Sequence, residues 1–356
     1  MRVWDVIIIG AGQCGVYAAR LLQKRSFDSL LLERSEVGSA WKQRLLSTPL
    51  FTSRQFSQLP ELALPGVTDE FPLPLEISNY LKSYVKKFNL NVREKAEVTS
   101  VKKHNGLFLI YLRSGEEFLA KTVINATGSN QVPHIPKVSD ELSENVMQYT
   151  SQLTSLKIIP DNCKVAVIGG GASGRQIAGG LANRCDVTLA TGAPRALPPN
   201  RVLGKDLFWW LKLSGIIDSG NSSIVARILK KRNPVPCAAF NNRRLTELGV
   251  TIRSRLISCA KETLIFTDGL VDNVEVVIWA TGYRDYTHWL KLPHCIDRQG
   301  FIHSQGLTPE PGLFVLGRKW FSCRGSELIL GVHKDATHVV SLLENHMKNK
   351  EKQYEE

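Results

Sequence analysis

The sequence predicts an α/β fold with two Rossmann-like, three-layer dinucleotide-binding domains, and two copies of one pattern predict it. An apolar, β-branched run at residues 6–9 leads directly into Gly10-x-Gly12-x-x-Gly15, and a second run at 165–168 leads into Gly169-x-Gly171-x-x-Gly174. A helical stretch follows each glycine turn, at 16–23 and 175–181. This order of strand, turn and helix is the setting that a dinucleotide fingerprint requires. Because the copies lie about 160 residues apart, they predict a protein that brings two dinucleotides together.

The three glycines of each copy have separate tasks. The first makes the tight turn, the second lets the backbone approach a pyrophosphate, and the third lets the helix pack closely on the strand. The pyrophosphate then lies on the exposed N–H groups at the positive end of the helix. Gln13 and Ser173 lie between the second and third glycines of their turns, and we expect both to bind the cofactors.

Length and composition indicate a globular protein with two domains. The chain has 356 residues, of which 43% are hydrophobic and 22% charged, as in ordinary globular proteins. No apolar run approaches the roughly 20 residues of a membrane-spanning helix, and the N-terminal strand runs into the glycine turn without a cleavage-like site. The seven cysteines form no CxxC pair and the eight histidines show no ligand spacing, so we expect reduced thiols, no metal site and a cytoplasmic location.

The net charge of +12 does not by itself indicate a nucleic-acid partner. Its one tight basic cluster is Arg227 with residues 230–232, whereas a nucleic-acid surface would show a basic stripe with interleaved aromatic residues. The phosphates of two dinucleotides account for some excess of Lys and Arg. We therefore expect small molecules as partners, with no nucleic acid and no membrane insertion.

The residue at the end of the second strand distinguishes the two nucleotide sites. In the first unit this strand ends in Glu33, 18 residues after Gly15, where a carboxylate can accept both ribose hydroxyls and repels a 2′-phosphate. The first site is therefore expected to hold FAD or NAD, the alternative being that Glu33 is only a solvated strand-end acid. In the second unit the strand at 186–190 is followed by Thr191, Arg195 and Arg201 without an acid. This favours NADPH, with NADH possible, unless Arg195 merely points into water.

Further elements complete the first unit. We expect a helix within residues 71–89, an antiparallel sheet over 90–119 and a hairpin at 263–268. The return strand ends in Ala126-Thr127-Gly128, whose small residues allow a cofactor phosphate to approach. Arg324-Gly325-Ser326 is expected to start a helix that runs through residue 341, and the charged residues after 346 are expected to fray.

A group of short motifs resembles flavin-dependent monooxygenases that carry FAD and bind NADPH. The motifs are Gly38-x-x-Trp41-x-x-Arg44, then Leu50-Phe51-Thr52 and Leu59-Pro60. The resemblance is greatest to short bacterial flavoproteins linked to potassium or other cation transport, which share the spacing of Trp320, the Arg-Gly-Ser at 324–326, Gly331 and the Asp-Ala at 335–336.

The resemblance implies roles for several residues in this family. Trp41 would lie along the isoalloxazine, with Arg44 and Thr52 in the same motif, although Trp41 could also be an ordinary core aromatic. The backbone near Val98 would meet the adenine. Thr281 and Gly282, of a second Ala-Thr-Gly motif, would lie near the nicotinamide nucleotide. Gly317 would end the last strand, and Ser326 would cap a helix aimed at the flavin N1 and C2 carbonyl.

The resemblance also implies a domain order and a reaction. An FAD-binding domain (1–150 and 281–346) would be split by an inserted NADP-binding domain (151–280), with a charged tail at 347–356. NADPH would reduce FAD by hydride transfer to N5. O2 activation as a C4a-(hydro)peroxyflavin would then oxygenate a small sulfur-, nitrogen- or carbonyl-containing substrate. No catalytic side chain is assigned, because the cofactors carry the chemistry, and a homodimer is common in this superfamily.

Two departures from the family pattern keep other functions open. Gln148 stands where the larger monooxygenases have histidine, and Gly317-Arg318 stands where related flavoproteins often have Gly-Asp. The alternatives are an NADPH oxidase or reductase without oxygen transfer, and a redox-sensing regulatory flavoprotein associated with cation transport.

Overall fold

The computed structural model describes residues 2–355, which form 21 strands and eight α-helices. The strands are β1 (Val3–Ile9), β2 (Ser29–Leu32), β3 (Val92–Arg93), β4 (Val98–His104), β5 (Leu107–Leu112), β6 (Glu117–Asn125), β7 (Val132–Pro133), β8 (Met147–Thr150), β9 (Lys164–Ile168), β10 (Asp186–Ala190), β11 (Arg201–Val202), β12 (Lys205–Asp206), β13 (Thr251–Arg253), β14 (Leu256–Ala260), β15 (Thr263–Phe266), β16 (Gly269–Val271), β17 (Val276–Trp279), β18 (Tyr283–Arg284), β19 (Ile296–Asp297), β20 (Gly300–Phe301) and β21 (Leu313–Val315). The α-helices are α1 (Gln13–Lys24), α2 (Ser39–Lys42), α3 (Pro74–Lys87), α4 (Ala172–Leu181), α5 (Leu207–Leu213), α6 (Ile224–Arg232), α7 (Asn242–Glu247) and α8 (Val332–Glu355). Within the described residues, none of the helices combines the length and apolar character that crossing a membrane requires.

The first sheet has seven strands in the order β3-β2-β1-β6-β5-β4, with β21 also paired to β6. Strands β1, β2, β3, β6 and β21 are parallel, whereas β4 and β5 continue the sheet as antiparallel strands. The predicted antiparallel segment is therefore part of the main sheet. Its two faces are covered by separate cores, one with α1, α3 and α8 and one with the segment around Trp289 and Phe301.

The second sheet has five parallel strands in the order β13-β10-β9-β17-β8. Its central strands β9, β10 and β17 are rich in Val and Ile and are largely buried on both faces, as expected for parallel strands covered on two sides. One face packs on α4 and α7, and the other on the antiparallel sheet of β14, β15 and β16. The hairpin expected at 263–268 is thus two strands of a three-stranded sheet. The boundary expected at residue 150 falls after β8, which pairs with β17 in the second sheet.

Two connections join the sheets side by side. The chain leaves the first sheet after β6 and returns after β17, and β7 and β18, which lie on these two passages, pair antiparallel. The N–H of His134 donates to the carbonyl of Gly282 at 2.8 Å. The segments that follow the ends of β6 and β17, each after an Ala-Thr-Gly motif, are therefore joined to each other.

The C-terminal helix differs from the expectation in its start and its end. Ser326 lies in a short 3₁₀ turn (Arg324–Glu327), and α8 begins only at Val332, so the expected helix start was wrong. The residues expected to form a charged tail continue α8 to Glu355. Met347 follows Val339, Val340 and Leu343 on the buried face. The helical spacing of apolar residues therefore continues for one turn into the charged C-terminal sequence.

Asp206 links the inserted segment to the first unit. Its carboxylate is fully buried, caps α5 by accepting the N–H of Phe208 at 2.8 Å, and accepts the N–H of Ser53 at 2.7 Å. Next to it, Phe208 and Ile217 of the insertion pack on Phe56 of the first unit.

We expect Asp206→Ala to lower the free energy of unfolding by roughly 2–6 kcal/mol, because two buried N–H groups lose their acceptor at a cost of about 1–3 kcal/mol each. Urea denaturation followed by circular dichroism measures this. The matched control is Glu247→Ala, which breaks exposed ion pairs with Arg243 and Arg244 and should cost less than about 1 kcal/mol. Equal midpoints for the two variants would contradict the linking role of Asp206.

Candidate functional site

The first glycine turn is tight wherever protein packs on it and open where a ligand phosphate would lie. Gly10 has φ +104°, and a Cβ there would lie 2.8 Å from the carbonyl oxygen of Ala126. A Cβ on Gly15 would lie 1.9 Å from the carbonyl oxygen of Gly10, whereas one on Gly12 would meet nothing within 4 Å. No side chain caps the first turn of α1, which begins at Gln13 and contains no acid. The N–H groups of this turn therefore lie beside open space, at the positive end of the helix dipole.

The second turn repeats this geometry. Gly169 has φ +129° and its Cβ would lie 2.2 Å from the carbonyl oxygen of Ala280. A Cβ on Gly174 would lie 1.9 Å from the carbonyl oxygen of Gly169, while one on Gly171 would meet only the Arg195 guanidinium at 3.9 Å. Helix α4 begins beside it with Ser173 in its first turn and without a side-chain cap. Each turn thus rests on the alanine of one Ala-Thr-Gly motif.

Glu33 lies beside the first turn, with most of its surface buried. Its carboxylate accepts the N–H of Ala11 at 2.8 Å and that of Ser35 at 3.0 Å. Its own carbonyl accepts the N–H of Ala96, which brings the start of β4 at Val98 to the same edge. The Ser39 hydroxyl also donates to this carboxylate, at 3.4 Å. Of its about four acceptor positions, one therefore remains for a ribose hydroxyl.

The tips of the second strands differ in charge, as the sequence predicts. Thr191 donates its hydroxyl to the carbonyl of Arg253 at 3.3 Å and packs against Gly170. Arg195 lies over Gly171 and is therefore close to the second turn. Arg201 lies elsewhere, since its guanidinium binds the carbonyls of Asp69 and Gly204 and covers the ring of Phe71.

Trp41 and Arg44 form a stack beside the start of α1. Trp41 is 8% exposed, its Nε1 donates to Oε1 of Gln13 at 3.1 Å, and the guanidinium of Arg44 lies 4.3 Å from its ring centroid. Arg44 is also within electrostatic range of Tyr283, whose hydroxyl lies 3.2 Å from that of Ser151. Residues of both units therefore meet here.

Thr52 is positioned by bonds within its own loop. It is buried and its hydroxyl lies 2.7 Å from the Ser57 hydroxyl, while the next residue, Ser53, is held by Asp206. The loop that carries Thr52 is thereby held by both units.

The two Ala-Thr-Gly motifs are tied to their surroundings by side chains. Asn125 accepts the N–H and the hydroxyl of Thr127, and Gln131 donates to the carbonyl of Gly128 at 2.7 Å. Thr281 donates its hydroxyl to the carbonyl of His134. Gly128 (φ +79°) and Gly282 (φ +94°) have left-handed backbones with open space at the Cβ position, so a ligand can approach both.

At the end of β21, Gly317-Arg318 stands where related flavoproteins often have Gly-Asp, and Arg318 forms an ion pair with Asp285. A Cβ on Gly317 (φ +80°) would lie 3.0 Å from Sγ of Cys14, which places this strand end beside the start of α1. Arg318 binds Asp285 at 2.5 and 2.7 Å and the carbonyl of Gly128 at 2.7 Å. Sequence reasoning identified the unusual arginine but missed Asp285, which is 33 positions away in the chain.

Ser326 lies near the first site but does not cap α8. Its hydroxyl accepts the N–H groups of Ser322 and Cys323 at 3.1 and 3.2 Å. Asp335, on the first turn of α8, accepts the hydroxyl of Ser322. Burial raises the pKa of its carboxyl, and the hydroxyls of Ser322 and Ser326 oppose the shift. Burial, assisted by Asp335, raises the pKa of Cys14 to about 12, so that thiol stays protonated at neutral pH.

A cavity of about 630 Å³ opens between the returning connection and the end of β21. Its lining includes Tyr283, Asp285, Gly300, His303 and Arg318. This volume is typical of sites for small molecules. None of the lining residues belongs to the glycine turns. Among the described residues, no group of three or more His, Cys, Asp or Glu is arranged to hold a metal ion.

Comparisons with known proteins agree with this arrangement. The family model described as pyridine nucleotide-disulphide oxidoreductase matches residues 7–200. A Bacillus subtilis protein called uncharacterized oxidoreductase CzcO is 35% identical to this chain, over 95% of this chain and 98% of the length of that protein. A probable indole-3-pyruvate monooxygenase of Arabidopsis thaliana is 26% identical over 94% of this chain and 88% of its own. The structure of a flavin-containing monooxygenase from Stenotrophomonas maltophilia superposes with a TM-score of 0.81, at 24% identity over 98% of this chain and 100% of that chain. The predicted α/β class with two dinucleotide-binding folds is confirmed.

The glycine turns give a prediction with an internal control. Gly12→Ala should fold normally, because its Cβ has room, but should bind FAD roughly tenfold or more weakly, because the methyl group occupies the place of the phosphate. Gly15→Ala should instead lose folding stability, since its Cβ would overlap the Gly10 carbonyl at 1.9 Å. Flavin absorbance after purification and thermal denaturation separate the two effects. A Gly12→Ala variant that retains FAD as tightly as the parent would contradict this assignment.

Proposed function

This chain belongs to the pyridine nucleotide-disulphide oxidoreductase family, and we propose that it is an FAD-dependent oxidoreductase that uses NADPH and O2 to oxygenate a small substrate containing sulfur, nitrogen or a carbonyl group. The observation that carries this proposal is the pair of glycine turns in one chain, each packed on the alanine of an Ala-Thr-Gly motif. Both rest on Ala-Thr-Gly motifs that the β7–β18 pairing joins. Two dinucleotides bound at these turns would extend toward one shared cleft.

The cofactor assignment is supported by charge. We propose that the first unit binds FAD, with its pyrophosphate on the N–H groups of α1 and its ribose on Glu33. We propose that the inserted unit binds NADPH at Gly171 and Ser173, with Thr191 and Arg195 near the 2′-phosphate. The carboxylate at the first strand tip opposes a 2′-phosphate, and the guanidinium beside the second turn favours one.

The chain supplies binding and orientation, and the cofactors supply the redox chemistry. Bound FAD would accept a hydride from NADPH at N5 and activate O2. Trp41 offers an apolar face for the flavin ring, and its bond to Gln13 holds the indole in place. Arg44 adds a permanent positive charge beside it. Thr281 and Gly282 form the backbone against which the nicotinamide half would lie.

One observation favours the alternative of an NADPH oxidase or reductase without oxygen transfer. Gln148 stands where larger monooxygenases have histidine, and its Oε1 accepts the indole N–H of Trp279 at 2.9 Å. This bond ties the Gln148 side chain, on the edge strand β8, to the neighbouring strand β17 of the second sheet. A neutral amide cannot take up the charge that a histidine can. The association with cation transport, the homodimer and the cytoplasmic location stay predictions.

The test is anaerobic titration of the purified protein with NADPH and, separately, NADH, followed by addition of O2 with a panel of thioether, amine and ketone substrates. Bleaching of the flavin by NADPH, with one oxygenated product for each NADPH consumed, is the expected result. Stoichiometric release of hydrogen peroxide with every substrate would favour the oxidase. A protein that is purified without flavin and binds none would overturn both.

The cofactor preference gives a second prediction. Arg195→Ala should lower kcat/KM for NADPH by roughly tenfold to a hundredfold, because a hydrogen bond to a charged group is worth about 1.5–3 kcal/mol. The value for NADH should stay unchanged. Arg201→Ala is the matched control, since the Arg201 guanidinium is already occupied by Asp69 and Gly204. Equal losses with both coenzymes would show that Arg195 does not contact the 2′-phosphate.

A further inference from the structure

Two cysteines lie next to each other at the edge of the second sheet opposite its glycine turn. Cys163 directly precedes β9 and Cys185 directly precedes β10. These strands are parallel neighbours in which Lys164 pairs with Asp186. The N–H of Asp186 donates to the carbonyl of Cys163 at 3.1 Å. The register therefore places the two cysteines opposite each other, one step before the paired residues.

Their thiols are in contact. The Sγ atoms lie 3.8 Å apart, and each also lies near the carbonyl oxygen of Pro160, at 3.0 Å for Cys163 and 3.3 Å for Cys185. Adjacent strands run about 4.8 Å apart, and disulfides form between Cα atoms about 4.4–6.8 Å apart. A disulfide therefore requires rotation of the two side chains and little movement of the backbone.

The surrounding loops already hold this geometry. The N–H of Asn162 donates to the carbonyl of Arg184 at 2.7 Å. The guanidinium of Arg184 binds the carboxylate of Asp161 and the carbonyl of Ile159. The bonds of Arg184 on one side and the pairing of Lys164 with Asp186 on the other thus enclose the cysteine pair, so the folded chain keeps the thiols together.

The two thiols differ in access. Cys185 keeps part of its surface exposed, whereas Cys163 is 4% exposed. Burial, with the neighbouring Cys185 adding to it, raises the pKa of the Cys163 thiol to about 11. Cys185 is therefore the thiol that an external reagent reaches first, and Cys163 is placed to react with it afterwards.

We propose that Cys163 and Cys185 form a redox modification site, which a low-molecular-weight disulfide converts to an intramolecular disulfide in the folded protein. The Cys185 thiolate attacks one sulfur of the small disulfide, forms a mixed disulfide and releases one small thiol. The Cys163 thiolate then attacks Sγ of Cys185 and releases the second small thiol. The two protons of the protein thiols end on the two small thiols. Two protein thiols are oxidised and one small disulfide is reduced.

The position of the pair predicts what the modification does. The bond would join the amino ends of β9 and β10, whereas Gly169 and Thr191 lie at their carboxyl ends, six residues later and therefore about 20 Å away. Oxidation should therefore stabilise the inserted unit against unfolding by restricting its unfolded chain and leave the nucleotide turn open. The site is independent of the proposed function, because no flavin or nicotinamide takes part.

The test is incubation of the folded protein with excess oxidised glutathione, removal of the reagent, thiol titration in denaturant and peptide mapping. The wild-type count should fall from seven thiols to five, with the 163-containing and 185-containing peptides joined and a higher midpoint of urea denaturation. Cys259→Ser, at a buried cysteine elsewhere in the same unit, should also lose two thiols. Cys163→Ser should lose one thiol and retain one glutathione on Cys185.

Three results would overturn the proposal. One is an unchanged thiol count in the folded wild-type protein. Another is peptide maps that join cysteines other than 163 and 185. The third is a Cys163→Ser variant that loses two thiols like the parent. The wild-type peptide map decides the matter even where a serine variant folds poorly.

Discussion

The structure depends on close contact between backbone and backbone at two glycine turns. In each unit the third glycine of the fingerprint packs on the carbonyl of the first, where a Cβ would lie 1.9 Å from oxygen. This contact brings the first turn of the helix against the end of the strand. The N–H groups of that turn then lie at the edge of the sheet where the strand ends. The first glycine packs in turn on an Ala-Thr-Gly strand end. The nucleotide site and the packing of the core are therefore one arrangement, and neither can change without the other.

The relation between the two units depends on a few polar contacts. The β7–β18 pairing holds the two strand ends together, and the buried carboxylate of Asp206 holds the inserted segment against the loop that carries Thr52. Apolar packing of Phe208 and Ile217 on Phe56 adds contact area. Hydrogen bonds define direction where apolar contact does not. The contacts between the two units are thus made by residues remote from the fingerprints.

Local patterns predicted much of this fold and of the candidate site, while contacts between distant segments were missed. The glycine turns, Glu33 and the acid-free second strand tip could be predicted because each rests on a spacing within one strand–turn–helix unit. The start of α8 could not, since Ser326 serves Ser322 and Cys323 rather than the helix. The strand β8 was missed as part of the second sheet because its partner β17 lies about 130 residues later. Asp206 and Asp285 carry no sequence signal, since their partners are set by tertiary structure.

The Asp285–Arg318 pair shows how such a contact can replace a familiar motif. Asp285 has 4% of its side chain exposed and Arg318 has 15%, so both charges have lost most of their water. A pair of this kind is a weak source of stability, because desolvation offsets much of the attraction, but removal of one partner leaves a buried charge. The guanidinium also binds the carbonyl of Gly128. It thereby joins the end of β21 to the end of β6 and to the returning connection. An arginine where related flavoproteins have aspartate thus has a defined task, which is to hold three strand ends around the space that the flavin is proposed to occupy.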